Sequence, residues 1–139
     1  MPAPEETAQI TLEWVAKAES DLTAAAALLR TEDCPTDVVC FHAQQAVEKY
    51  LKALLTSLQI EFPKTHNIKK LSQILKHRHD LGLSEEEQDK LTDYATTARY
   101  PGFGEITLSE ARRAVALARR VRKHVRALLP KGILRRRTH

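Results

Sequence analysis

The run Arg119-Arg120-Val121-Arg122-Lys123-His124 sets several fixed cations beside an imidazole. Guanidinium presents forked donors to phosphate oxygens, and imidazole gives or takes a proton near neutral pH. Residues of these types suit phosphate binding and proton transfer at a phosphate ester. The surrounding charge agrees with that chemistry. From Ala111 to His139 there are nine Arg and two Lys and no acid, a formal +11 within a chain of net +4, so the first 110 residues carry −7. Such a segregated cationic segment attracts polyphosphates by counterion release, without regard to base sequence. A solvated basic face favoured by the helix dipole is the alternative.

Position on the helix matters as much as residue type. Five residues on a straight helix put Arg119 and His124 ~140° apart, whereas Arg113, Arg120 and His124 share one stripe. A pairing of Arg119 with His124 therefore needs a helix irregularity, long side chains converging over a cleft, or a second subunit. The other histidines suit structural roles. His42 is expected as a hydrogen-bonded residue at a helix interface, and His66 as a partner for free amides at a helix start. His77 and His79 point to different sides of a helix and read as a polar end. In Arg99-Tyr100-Pro101, the proline forces Tyr100 out of the helical region, which sets its ring at a helix exit. Arg99 complements the dipole there, and both residues could also contribute to a cleft.

Other chemistries find little support. There is no Ser/His/Asp set, Gly-rich phosphate loop or paired-carboxylate arrangement. Cys34 and Cys40 have no second Cys/His pair at zinc-finger spacing and are expected to be reduced thiols, with no metal and no cofactor. No apolar run approaches the ~20 residues of a membrane span, and the N-terminus lacks the basic and apolar regions of a signal peptide. A cytoplasmic protein is expected.

Five helices must position these residues. With 42% hydrophobic and 29% charged residues, four glycines and abundant Ala, Leu, Lys, Arg and Glu, the 139-residue chain favours one all-α domain. The first helix spans about Thr11 to Leu29 and the second about Thr36 to Leu58. A third spans about Asn67 to Arg78. Ser84-Glu85-Glu86-Glu87 is a capping box for the fourth, and Thr107 to Glu110 another for the fifth, which reaches about Leu129. The expected architecture is an antiparallel bundle over residues 11–129, with an N-terminal extension (1–10) and a basic tail (130–139).

The second helix is the most telling. Val39, Ala43, Ala46, Val47, Tyr50, Leu51, Leu54 and Leu58 cover one half of it, and His42, Gln44, Gln45, Glu48, Lys49 and Lys52 occupy the other. Phe41 falls in the polar half. An aromatic there points to a second buried face supplied by a partner helix, hence a symmetric homodimer.

The run FHAQQAVEKYLKALL at Phe41–Leu55, the segment Thr65-His66-Asn67-Ile68 and Ala98-Arg99-Tyr100-Pro101 resemble the HEPN family, and Trp14, Ala18, Asp21 and Leu22 match its opening helix. The resemblance extends from about Trp14 to Leu129 and implies the helical-bundle fold. It also implies a functional pattern, R-x4-6-H, which Arg119 and His124 satisfy. In active relatives of that kind the His assists the ribose 2′-hydroxyl in attacking the adjacent phosphate, the Arg holds the oxyanion, and no metal is needed. On this resemblance Arg119 and His124 are the catalytic candidates; on the charge of the segment, Arg113, Arg120, Arg122 and Lys123 are the nucleic-acid-binding ones. His42, Lys49, Arg99 and Tyr100 are further cleft candidates. Two functions follow as expectations. One is the toxin ribonuclease or nucleotide-binding half of a module whose partner is a minimal nucleotidyltransferase. The other is a non-catalytic dimeric adaptor that holds RNA or nucleotide.

Overall fold

The computed structural model describes residues 3–75 and 81–135, apart from the side chains of Arg99 and Arg135. Among them are five α-helices and no strand: α1 (Pro4–Leu29), α2 (Thr36–Ser57), α3 (Ile68–Leu75), α4 (Glu85–Ala95) and α5 (Leu108–Leu128), with 3-10 turns at Thr97–Arg99 and Ile133–Arg135. The expected all-α bundle is thus the observed one. The reading of His77 and His79, and the end of the third helix near Arg78, fall outside the described residues.

Helix α2 is the central element, packed chiefly on α1 and α5 and also against α3 and α4. Val39, Ala43, Val47, Tyr50, Leu51 and Leu54 are fully buried, as the apolar stripe requires. The polar half departs from expectation. Gln44, Glu48 and Lys52 are buried too, at 0%, 3% and 7% exposure. The second buried face is therefore supplied largely by the same chain. Glu48 accepts from Lys52 Nζ at 2.9 Å, from His66 Nδ1 at 2.8 Å and from Gln44 Nε2 at 3.2 Å. Gln44 Nε2 also donates to the His66 carbonyl at 3.0 Å. Lys52 Nζ stands 5.4 Å above the Trp14 ring of α1, and Trp14 meets Phe62 edge-on. Phe41 itself is half-buried with its ring edge-on to His42.

Several boundaries differ from expectation for identifiable reasons. α1 begins at Pro4 rather than near Thr11, because proline's fixed φ suits a first turn and Glu5 and Glu6 complement the dipole there. The turn is anchored, since Ala8 and Leu12 pack against Ile133, which follows α5. At α3 the cap is Asn67 rather than His66: Asn67 Oδ1 accepts from the Lys70 amide at 3.0 Å, while Thr92 Oγ1 takes the Ile68 amide. The Ser84/Glu87 capping box of α4 is complete. That of α5 is half-formed: Thr107 takes the Glu110 amide at 3.0 Å, but the Glu110 carboxylate accepts instead from the Tyr94 hydroxyl at 2.6 Å. This bond ties α5 to α4 across the core.

The Glu48 network yields a stability prediction. Glu48→Ala should cost about 3–5 kcal/mol in urea denaturation, because it leaves the Lys52 ammonium buried without its anion. Adding Lys52→Met should recover part of that loss. A double variant no more stable than the single one would show that Lys52 does not depend on Glu48.

Candidate nucleic-acid interface

α5 buries Ala111, Ala114, Val115, Leu117, Ala118, Val121 and Val125 and leaves the rest of its circumference to basic residues. Small alanines on the inner side bring its axis close to α2, so the long cationic side chains spread over neighbouring helices instead of projecting radially. Two acids from other elements divide them into two groups.

The first group faces the turn before α4. Arg120 donates to the Gly82 carbonyl at 2.7 Å and lies 3.3 Å from Glu87 Oε1, and Arg113 lies 3.4 Å from Glu87 Oε2. His124 belongs here. A Cβ built on Gly82 would stand 3.2 Å from His124 Nε2 and 3.3 Å from Arg120 Cδ. Gly82 also has φ +72°, so glycine satisfies both the close approach and the left-handed backbone. Glu87 is held below the ordinary carboxylate range, first by its bond from the Ser84 amide and then by Arg120 and Arg113.

The second group faces α1. Arg119, Arg122, Lys123 and Arg126 line a groove with Leu22. Arg122 Nε donates to both Glu19 oxygens at 3.0 Å, and Arg126 donates to Glu19 at 3.1 Å. The Glu19 bond keeps Arg122 firmly charged. Arg119 and Lys123 are exposed at the rim. The wheel geometry is thus realised: His124 has Arg120 as its neighbour, and Arg119 stands in the other group. Within one chain the structure does not bring Arg119 and His124 to a common site.

The remaining cleft candidates lie elsewhere. His42 Nδ1 and Lys49 Nζ both bind Asp21, at 2.9 and 2.5 Å, which locks α2 to α1. Tyr100 has the extended backbone that Pro101 imposes, and its side chain is 72% exposed. With Pro101 it borders a depression at the start of α2, beside Thr36, Asp37 and Glu105. Those two acids make it a poor seat for phosphate. The Arg99 side chain lies outside the described residues. Burial, and after it the Glu110 charge, pushes the Cys40 thiol up to about 12, so it stays protonated and unreactive at neutral pH. Among the described residues no group of three or more His, Cys, Asp or Glu could hold a metal ion, and no helix is long and apolar enough to cross a membrane.

Glu19, Gly82 and Glu87 shape this surface, and sequence reasoning gave none of them a site role. Glu87 was visible as a capping residue. Glu19 carried no signal, since its partners lie about a hundred positions along the chain.

The HEPN domain family model matches residues 11–128, and the chain belongs to that family. No curated protein and no solved structure matches it.

The Glu87 geometry implies a pH dependence. Its carboxyl is depressed in the folded state, so the stabilisation is present above the unfolded value and is lost as pH falls through the folded one. Glu87→Gln should lower the melting temperature at pH 7, and the gap to wild type should close as pH drops below about 4. A gap that stays constant over that range would mean that the Glu87 charge contributes nothing.

Proposed function

We propose that this HEPN-domain protein binds RNA or nucleotide through the outer surface of α5. The observation that carries this reading is the groove of Arg119, Arg122, Lys123 and Arg126, four cations set against the single carboxylate of Glu19. Phosphate oxygens fit such a surface because guanidinium and ammonium donors survive in charged form at every physiological pH. Affinity for a short single-stranded RNA should fall steeply between about 50 and 200 mM salt, and Arg119→Ala with Lys123→Ala should flatten that dependence. Both side chains are exposed, so the fold should be unaffected. An unchanged salt slope in the double variant would remove the groove from the interface.

A second reading, a metal-independent ribonuclease, is favoured by the adjacency of Arg120 and His124 at Gly82. His124 would take the 2′-hydroxyl proton and an arginine would hold the oxyanion. Geometry makes Arg120 that arginine within one chain, whereas Arg119 could serve only if a second subunit completed the site. Under this reading the protein cleaves RNA in EDTA and leaves a 2′,3′-cyclic phosphate, and His124→Ala abolishes cleavage while the fold persists. Cleavage at the wild-type rate by His124→Ala would end the catalytic assignment and leave RNA binding as the function.

A symmetric homodimer and a minimal nucleotidyltransferase as partner belong to the same proposal. The half-buried Phe41 ring on the outer side of α2 supports the dimer. Sedimentation should give twice the chain mass at micromolar concentration, with Phe41→Asp shifting the protein toward monomer. A wild-type monomer at that concentration would refute the dimer.

A further inference from the structure

Tyr100 and Phe103 are 72% and 40% exposed, whereas every other Tyr, Phe and Trp of the chain is buried or half-buried. A local turn sets these two side by side. Pro101 follows Tyr100, Gly102 has φ +97°, and the Phe103 amide donates to the Tyr100 carbonyl at 3.4 Å, which is the pattern of a type II turn. The first and fourth residues of such a turn have their Cα atoms within about 7 Å of each other. The segment that follows is pinned, because Thr36 Oγ1 donates to the Ile106 carbonyl at 2.7 Å and Ile106 is buried. Two aromatic rings are thus held in solvent just ahead of α5, with apolar surface left unburied.

The outward side of α5 begins a few residues later. Leu108, at the start of the helix, is 39% exposed, and Arg112, Ala116, Arg119 and Lys123 are exposed after it. On the helical wheel these last four fall within about 60° of arc. Arg112 and Lys123 are about 16 Å apart along the axis, so one phosphate group does not engage both, whereas successive phosphates of a strand do. At the turn the charge changes sign. Asp37 and Glu105 line the depression beside Tyr100. Carboxylates there repel phosphate and accept hydrogen bonds from the amino groups of bases. A strand whose backbone lies on α5 therefore meets, at the helix start, a place for a base and not for a phosphate.

We propose that the turn at residues 100–103 is a stacking platform for unpaired bases, and that together with the stripe of Arg112, Arg119 and Lys123 it takes a single-stranded RNA in place of a free nucleotide. The inference rests on the reading of α5 as an RNA- or nucleotide-binding surface and names which of the two is bound. Stacking on Tyr100 and Phe103 tolerates any base, because every base presents a π-face, and a duplex offers no such face along its length. The salt-dependent part of the affinity resides on α5 and the salt-independent part on the turn.

The test measures fluorescence anisotropy of a labelled oligoadenylate with the full-length protein at about 100 mM salt, beside an abasic strand of the same length and charge. The base-bearing strand should bind about tenfold more tightly than the abasic one. Tyr100→Ala should remove most of that difference, leave the affinity of the abasic strand and the salt slope unchanged, and melt like wild type, since the ring is in solvent. Tyr100→Phe should keep the wild-type affinity, because stacking needs the ring and not the hydroxyl. Arg112→Ala should weaken both strands alike and lower the salt slope by about one. The same strand annealed to its complement should be indifferent to Tyr100→Ala, and adenosine monophosphate should compete only at roughly a hundredfold higher concentration than the strand. Equal affinity for the base-bearing and abasic strands, or a Tyr100→Ala protein that keeps the full difference, would overturn the platform while leaving phosphate binding on α5 intact. Competition by the mononucleotide as strong as by the strand would overturn the choice of RNA over nucleotide. Binding of neither strand nor mononucleotide would overturn the reading of α5 as well.

Discussion

Glu48 is 3% exposed in the middle of the helix that every other helix touches. A carboxylate so placed costs several kcal/mol unless donors come to it from the chain around it. Three do: Lys52 one turn on, Gln44 one turn back, and His66 from the segment that leads into α3. Only Lys52 and Gln44 are set by the helix itself. His66 arrives by way of the connection after α2, so satisfying Glu48 also fixes where that connection runs and where α3 begins. Trp14 closes the other side by covering the Lys52 ammonium, which places the first half of α1. The polar half of α2 is thus an organising centre around which α1 and the path to α3 are arranged.

The second consequence concerns electrostatics. With α1 held on α2 by Asp21, His42 and Lys49, Glu19 of α1 is presented to α5, where it meets Arg122 and Arg126. Glu87 does the same from α4. Each acid engages two arginines, and those it does not engage, Arg119 and Lys123 among them, are left in solvent. These exposed ion pairs contribute little to stability, about 0–1 kcal/mol each by general experience. Their effect is on placement: Glu19 holds Arg122 and Arg126 toward α1, and Glu87 holds Arg113 and Arg120 toward the turn before α4. A strongly basic helix becomes two distinct surfaces by this means.

Much of the fold was legible in the sequence, because helix length, apolar period and the Ser84/Glu87 cap are local properties. The start of α1 was not, since what holds its first turns is Ile133, from the far end of the chain. The polar residues of α2 were harder still. Gln44, Glu48 and Lys52 look solvated on a wheel, and their burial depends on His66 and Trp14, whose approach no local pattern reveals. At the candidate site, the grouping of Arg113, Arg120 and His124 followed from angular spacing alone. The carboxylates that meet those cations, and the glycine against His124, come from other helices or turns and were legible only in three dimensions.

One feature of α5 sets what either of its surfaces can do. His124 stands against Gly82, so near that a side chain there would press on the imidazole, and Arg120 is already bonded to that turn. The face that carries His124 is therefore packed, with its two arginines occupied by Glu87. The face toward α1 has Arg122 and Arg126 engaged by Glu19 and leaves Arg119 and Lys123 exposed, unengaged by any acid among the described residues. At Arg119 and Lys123 a phosphate would displace no ion pair, whereas at the first face it would compete with a carboxylate and a carbonyl. Under the proposed function, binding at the α1 side would thus require the least change in the molecule, and chemistry at His124 would require that the turn at Gly82 yield.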